Sequence, residues 1–171
     1  MIRDAVTADA ERCAAIYAPY VRETAISFES EPPGAGETAR RIAEAQRAHA
    51  WLVLEADGAV VGYAYGGPSM ARAAYQWATT VSVYLDGGRR RTGGGRALYE
   101  VLFDRLAARG HRTALAGIAL PNEASIALHR RAGFEFIGVF KSVGRKFDCW
   151  HDVAWYQRML PNVTADETDE P

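Results

Sequence analysis

Residues able to do chemistry gather at two places in this chain. The first is Arg89-Arg90-Arg91-Thr92-Gly93-Gly94-Gly95-Arg96, between an alternating run, Val81 to Leu85, and a helix-like run that begins Ala97-Leu98-Tyr99. A glycine-rich turn from strand to helix exposes unpaired backbone N–H groups at the positive end of the helix dipole. Glycines lack Cβ atoms, so an anion can approach that backbone closely. With arginines on both sides, a pyrophosphate is the natural ligand. The turn is not a Walker A loop, because no Lys-Ser/Thr pair follows it. Nor is it a dinucleotide fingerprint: the third glycine is absent and a meander of strands precedes it. The competing reading is a surface turn with solvated arginines, and the loop alone does not decide between them.

The second place is Asn122-Glu123-Ala124-Ser125-Ile126-Ala127-Leu128-His129. On an ideal helix Asn122 and His129 point within about 20° of each other, with Ser125 near the same stripe. One helix edge then offers an amide, a hydroxyl and an imidazole at the C-terminal end of a strand, where open α/β sheets bind ligands. The competing reading makes Asn122 a helix N-cap and His129 a satisfied surface histidine. For Asn122 both roles are compatible.

The elements that must position these residues follow from periodicity and turn chemistry. A length of 171 residues, 49% of them hydrophobic, fits one globular domain. The net charge of −1 argues against a nucleic-acid binder, so the arginine run is local. The two cysteines, Cys13 and Cys149, and the four histidines have no ligand-like spacing, so no metal is expected. Met1 to Val6 lacks the apolar core of a signal peptide. No apolar run approaches the roughly 20 residues needed to span a bilayer. These features fit a soluble cytoplasmic protein with no membrane partner.

Ile2–Val6 is read as a strand, with Thr7 to Asp9 capping an amphipathic helix that carries Cys13, Ile16 and Tyr17. The stretch 27–34 is a loop, broken by Pro32-Pro33-Gly34, and 37–49 a second helix. Strands at 51–55 and 60–66 flank Asp57-Gly58, a hairpin signal. A strand over 75–85, a helix over 96–109 ended by Gly110, a central strand over 113–120 and a helix over 124–132 closed by Gly133 follow. Strands at 134–143 and 152–159 finish the domain, which spans 1–160. Residues 161–171 read as an acidic, disordered tail. The order β-α-α-β-β-β-α-β-α-β-β gives an α/β (α+β) fold: a mixed sheet of about seven strands flanked by about four helices.

Taken together, Arg90-x-x-Gly93-x-Gly95, Asn122-x-x-Ser125-x-x-Leu128-His129 and Gly133-Phe134 resemble the GNAT superfamily of acetyl-CoA-dependent N-acetyltransferases. Ser27-Phe28-Glu29, Arg72-x-x-Tyr75-x-Trp77, Ser82-Val83-Tyr84, Leu120-Pro121-Asn122-Glu123 and Trp150-His151-Asp152-Val153 narrow the resemblance to its phosphinothricin N-acetyltransferase-like branch. It spans residues 1 to 160 and implies the GNAT fold, a homodimer and acetyl-CoA as co-substrate. It implies that backbone N–H groups of Arg91, Thr92, Gly93, Gly94, Gly95 and Arg96 hold the pyrophosphate, with Arg90 opening the motif. The pantetheine arm would pair with Val83, Tyr84 and Leu85 as an added strand, and Asn122 and Ser125 would meet it from the other side.

The acceptor is then a small amine. An alkylammonium with a pKa of about 10 must lose a proton before it can attack. The resemblance puts His129 where an acid or base acts. It also exposes two departures. Thr80 stands where this branch usually has a glutamate, which makes Glu29 either a substitute base or a plain exposed loop carboxylate. Met70 stands where phosphinothricin enzymes can carry lysine, which favours a more apolar substrate such as methionine sulfone or sulfoximine. Arg72 and Tyr75 match the amino-acid pocket, where an arginine can grip a carboxylate in two-pronged fashion. Phe28 and Trp77 would wall it and Tyr99 would face it. Trp150-His151-Asp152 reads as structural, and the basic stretch Lys141 to Lys146 as a solvated strand face. Two other classes remain open: a non-catalytic acyl-CoA-binding module, prompted by Thr80, and a nucleic-acid binder, which the net charge disfavours.

Overall fold

The computed structural model describes residues 1–89 and 92–161. Its strands are β1 (Ile2–Asp4), β2 (Trp51–Ala56), β3 (Ala59–Pro68), β4 (Ala78–Leu85), β5 (Thr113–Ala119), β6 (Glu135–Lys146) and β7 (Cys149–Met159). Its helices are α1 (Ala10–Glu23), α2 (Ala35–Ala48), α3 (Gly94–Ala108) and α4 (Glu123–Arg131). The strands form one sheet in the order β1-β2-β3-β4-β5-β7-β6. Only β4 and β5 run parallel; every other neighbouring pair is antiparallel. This is the mixed sheet that the element order implies. Of the tail expected over 161–171, all but Pro161 lies outside the described residues.

Helices cover both faces. On one, Leu98, Leu102 and Leu106 recur every fourth residue of α3 and are wholly buried against Leu52, Ala64, Val81 and Ala114. Each such leucine stabilises the fold by about 2 kcal/mol. On the other, Cys13, Ile16, Tyr17 and Tyr20 of α1 and Ile42 of α2 pack on Trp51, Val53 and Tyr63.

Asp57 and Gly58 both adopt positive φ, 53° and 76°, and turn β2 into β3 as their sequence predicts. A second turn of the same sign, Phe147 (φ 51°) and Asp148 (φ 56°), joins β6 to β7 without a glycine. For that reason the sequence does not announce it. The hairpin is a long arm over 135–159, not two shorter strands ending at 143 and starting at 152. The strand expected from Tyr75 begins instead at Ala78. The β3–β4 ladder ends at Pro68↔Thr79, so residues 69–77 leave the sheet, and Tyr75 lies in a 3-10 turn over 73–75. Its alternation with Trp77 imitates a strand.

The decisive feature is where β4 and β5 part. Their parallel pairing covers only Ala78↔Thr113, Thr79↔Ala114 and Thr80↔Leu115. Beyond Thr80, β4 stays paired to β3 as far as Leu85, while β5 stays paired to β7 as far as Ala119. The facing edges of the two strands are therefore unpaired over their C-terminal halves. Asp86 N–H donates to Val61 O at 2.9 Å. Antiparallel alternation then turns the backbone N–H and C=O groups of Val81, Val83 and Leu85 toward the gap. The Leu85 carbonyl accepts there from the Tyr20 hydroxyl, at 2.6 Å.

Candidate active site

The gap between the strands is a cavity. Val81 to Tyr84 line one side and Gly117 to Ala119 the other; Asn122, Ser125 and His129 of α4, Tyr99 of α3 and Ile26 of the α1–α2 loop complete it. The structure thus brings together six residues expected from the sequence: Val83, Tyr84, Tyr99, Asn122, Ser125 and His129.

Asn122 is an N-cap. Its side-chain oxygen accepts from Ser125 N–H at 3.1 Å, which fixes the start of α4 at the mouth of the gap. His129 is buried, not a surface histidine, at 5% exposure. Its Nδ1 lies 2.8 Å from the Ser125 carbonyl, which can only accept, so Nδ1 carries the proton. The other nitrogen, Nε2, is then a bare lone pair, and the Tyr99 hydroxyl donates to it at 2.9 Å. Burial pushes the His129 pKa below its usual value, partly offset by the Ser125 carbonyl, so the ring is neutral near pH 7. Tyr99 is wholly buried, its ring stacked 5.3 Å from Phe103, and burial raises its pKa. Its hydroxyl is committed to His129, and its place in the site is as that partner more than as an open wall.

At the glycine-rich turn, Gly93 takes φ 85° and its C=O accepts from Ala97 N–H, opening the α3 ladder. The N–H groups of Gly94, Gly95 and Arg96 precede that bond and lie at the positive end of the helix. Nothing lies within 4 Å of where a Gly93 Cβ would stand. An anion would have room to approach there, and the turn fits a pyrophosphate. Thr92 donates its hydroxyl to the Arg89 carbonyl at 2.8 Å, and Arg96 pairs with Glu100 at 2.9 Å. Arg90 and Arg91 lie outside the described residues.

Residues expected on the acceptor side are more scattered. Phe28, Glu29, Arg72, Tyr75 and Thr80 do not line the gap. Glu29 does not fit the role of substitute base. Its carboxylate takes two bonds from the Arg41 guanidinium, at 2.7 and 3.1 Å, and one from the Tyr17 hydroxyl at 3.0 Å. Arg41 above all holds its pKa below the usual carboxylate range, so it is a weak proton acceptor. Thr80 donates to Ser69 Oγ at 3.1 Å. Arg72, Tyr75, Trp77 and Met70 stand exposed on the loop between β3 and β4.

Sequence reading missed Gly117 to Ala119, which only the parting of β4 and β5 opens to the gap, and Ile26, which the α1–α2 loop carries to it. In the basic stretch Lys141 and Arg145 are exposed, as expected, but Lys146 is half-buried and its Nζ donates to the carbonyls of Val21 and Ser27 at 2.6 and 2.7 Å. His151 reaches the Lys146 carbonyl at 3.1 Å, closing the 147–148 turn. Asp152 accepts from Ser142 N–H at 2.8 Å, a group left over by the bulge in β6.

A sheet that splits between two parallel strands, with a glycine-rich helix start at one lip and a capped helix at the other, is the frame of an acyl-CoA-dependent transferase. The acetyltransferase (GNAT) domain family matches residues 2–155, and the chain belongs to that family. Within it, the chain is 39% identical over 163 residues to a phosphinothricin N-acetyltransferase of Streptomyces coelicolor, covering 93% of this chain and 95% of that one. It is 36% identical to an L-methionine sulfoximine/L-methionine sulfone acetyltransferase of Pseudomonas paraeruginosa, covering 93% and 94%. A crystal structure of a phosphinothricin acetyltransferase from Sinorhizobium meliloti in complex with acetyl-CoA superposes with a TM-score of 0.91 at 37% identity, covering 99% of this chain and 93% of that one.

Proposed function

We propose that the protein transfers acetyl from acetyl-CoA directly to the α-amine of a small amino-acid-like substrate of the phosphinothricin, methionine sulfone or methionine sulfoximine kind. The observation that carries this reading is the unpaired edge of β4 facing His129 across the gap. Val83 offers a backbone N–H and C=O to the amide groups of a pantetheine arm, and the α3 N-terminus offers N–H groups to the pyrophosphate. The amine nitrogen attacks the acetyl carbonyl carbon, the C–S bond breaks, the amine loses a proton and the thiolate gains one. An N–H of the open β4 edge stabilises the oxyanion. Tyr99 passes its hydroxyl proton to the neutral Nε2 of His129 as the tyrosine takes the proton of the amine, and the imidazolium returns a proton by the same path for the departing thiolate. No acyl-enzyme is needed.

Arg72 and Tyr75, on the exposed loop between β3 and β4, are assigned to the substrate carboxylate, and Met70 favours a substrate with an apolar side chain. We also assign a homodimer, because Phe136, Ile137, Phe140, Val143, Phe147 and Trp150 of the arm are each more than half exposed. A cytoplasmic setting matches the free thiols Cys13 and Cys149.

The absence of a free acid at Thr80 and Glu29 favours one second reading, a non-catalytic acyl-CoA sensor. A thiol-release assay with methionine sulfone, methionine sulfoximine, phosphinothricin and common amino acids separates the two. Acetylated product supports the enzyme. Tight acetyl-CoA binding with no turnover on any amine selects the sensor.

A further inference from the structure

The loop between α1 and α2 brings Ile26 to the gap, and its placement depends on a residue more than a hundred positions later in the chain. Lys146, at the tip of the arm, donates to the last turn of α1 at Val21 O and to the loop itself at Ser27 O. Both acceptors are neutral carbonyls, so the ammonium group is spent on ordering backbone. Around it the loop is tied inward: Ser27 Oγ lies 2.6 Å from the Tyr17 hydroxyl and accepts from Glu29 N–H at 3.1 Å. The arm also fits the loop by shape. A Cβ on Gly144 would overlap the Phe28 ring, so the glycine is what lets Phe28 lie against β6. Phe28 also approaches the His151 ring, 6.0 Å between centroids.

We propose that Lys146 is a positioning residue for the amine acceptor. Through the carbonyls of Val21 and Ser27 it holds the loop 24–29 over the gap, so that Ile26 walls the acceptor side and the β6–β7 arm is coupled to acceptor binding. The proposal rests on the N-acetyltransferase reading; Ile26 shares the gap with the groups assigned above to acetyl-CoA, but none of those groups lies on the loop 24–29.

The test compares Lys146→Met, Lys146→Arg and Gly144→Ala in the full chain, with kinetics for both substrates and amide hydrogen exchange over residues 24–29. Lys146→Met should raise KM for the amine by about tenfold, leave KM for acetyl-CoA within about twofold, and speed exchange in the loop. Lys146→Arg should recover most of the amine affinity, because a guanidinium still donates to both carbonyls. The proposal is overturned if amine KM and loop exchange do not change, or if both substrates weaken equally and arginine rescues nothing. If Lys146→Met does not fold, Gly144→Ala decides: it pushes Phe28 off the arm without touching the lysine, and an unchanged amine KM would overturn the proposal. If the wild type acetylates no amine, the functional reading has failed, while loop exchange in the Lys146 variants still decides whether the lysine is the anchor.

Discussion

His129 has both ring nitrogens engaged, and that fixes what it can do. Nδ1–H belongs to the Ser125 carbonyl, which leaves Nε2 to accept from Tyr99 or from a substrate. His129→Ala should lower kcat by about a hundredfold with little change in acetyl-CoA affinity, measured by steady-state kinetics and direct binding. Equal kcat values would reduce the residue to a packing role. The pH profile gives a finer test. The proposed mechanism needs neutral His129, whose pKa is lowered chiefly by burial, so the rate should hold until the pH falls below the usual histidine value of about 6.5. Tyr99 can accept from the protonated ring as well as donate to the neutral one, so Tyr99→Phe should lower kcat while leaving the acid limb of kcat/KM within about half a unit. A larger shift would mean that Tyr99 binds one protonation state of the ring in preference.

The turn into α3 couples backbone conformation to ligand space. Gly93 sits at φ 85° with open space where a side chain would begin. Gly93→Val would strain the backbone by about 1–2 kcal/mol and also project methyl groups into the anion cradle. Acetyl-CoA affinity should therefore fall by more than about tenfold, a larger loss than the shift in Tm explains; calorimetric titration beside a melting curve checks it. This turn, and Asn122 as a cap, were legible in the sequence because their signals are local: glycines before a helical run, and an Asn three residues ahead of the N–H it receives. Tyr75 was misread because aromatic alternation fits a strand, while the end of the β3 ladder at Pro68 is a property of pairing. The two readings of Glu29 stayed open in the sequence because its partner, Arg41, sits on the next helix. The parting of β4 and β5, which makes the site, depends on both outer ladders continuing after the inner one stops. No window of residues contains that information.

At the scale of the whole molecule, the arm's apolar face predicts a dimer: replacing Phe140 and Trp150 by serine should convert a dimer to a monomer in sedimentation, and a wild-type monomer would refute the assignment. Acid stability is governed elsewhere. His49 and His111 stack 4.6 Å apart, both buried, where the end of α2 meets β4 and the α3–β5 turn. His111 Nε2 donates to Ala48 O at 2.8 Å, and His49 Nδ1 lies 3.3 Å from Thr79 Oγ1. Burial first, then His111 and Arg109, push the His49 pKa down to about 4. In the unfolded chain it is about 6.5. Between those values the unfolded state binds the extra proton, so His49 leaves stability intact above about pH 6.5 and removes it progressively as the pH falls toward 4. Asp9 acts in the opposite sense and lower down. Arg3 grips it at 2.7 and 2.9 Å and depresses its pKa, so its stabilisation is present above about pH 3.9 and fades only below that. The two windows barely overlap. His49→Phe keeps an aromatic ring against His111 but has no proton to bind, and it forfeits about 1 kcal/mol at neutral pH with the Thr79 contact. Urea denaturation across the acid range should show the wild type losing more stability than His49→Phe between pH 6.5 and 4, the variant keeping only the loss due to buried His129, and both falling together below about pH 4. Parallel curves throughout would mean that the stacked pair does not set the acid limit of this fold.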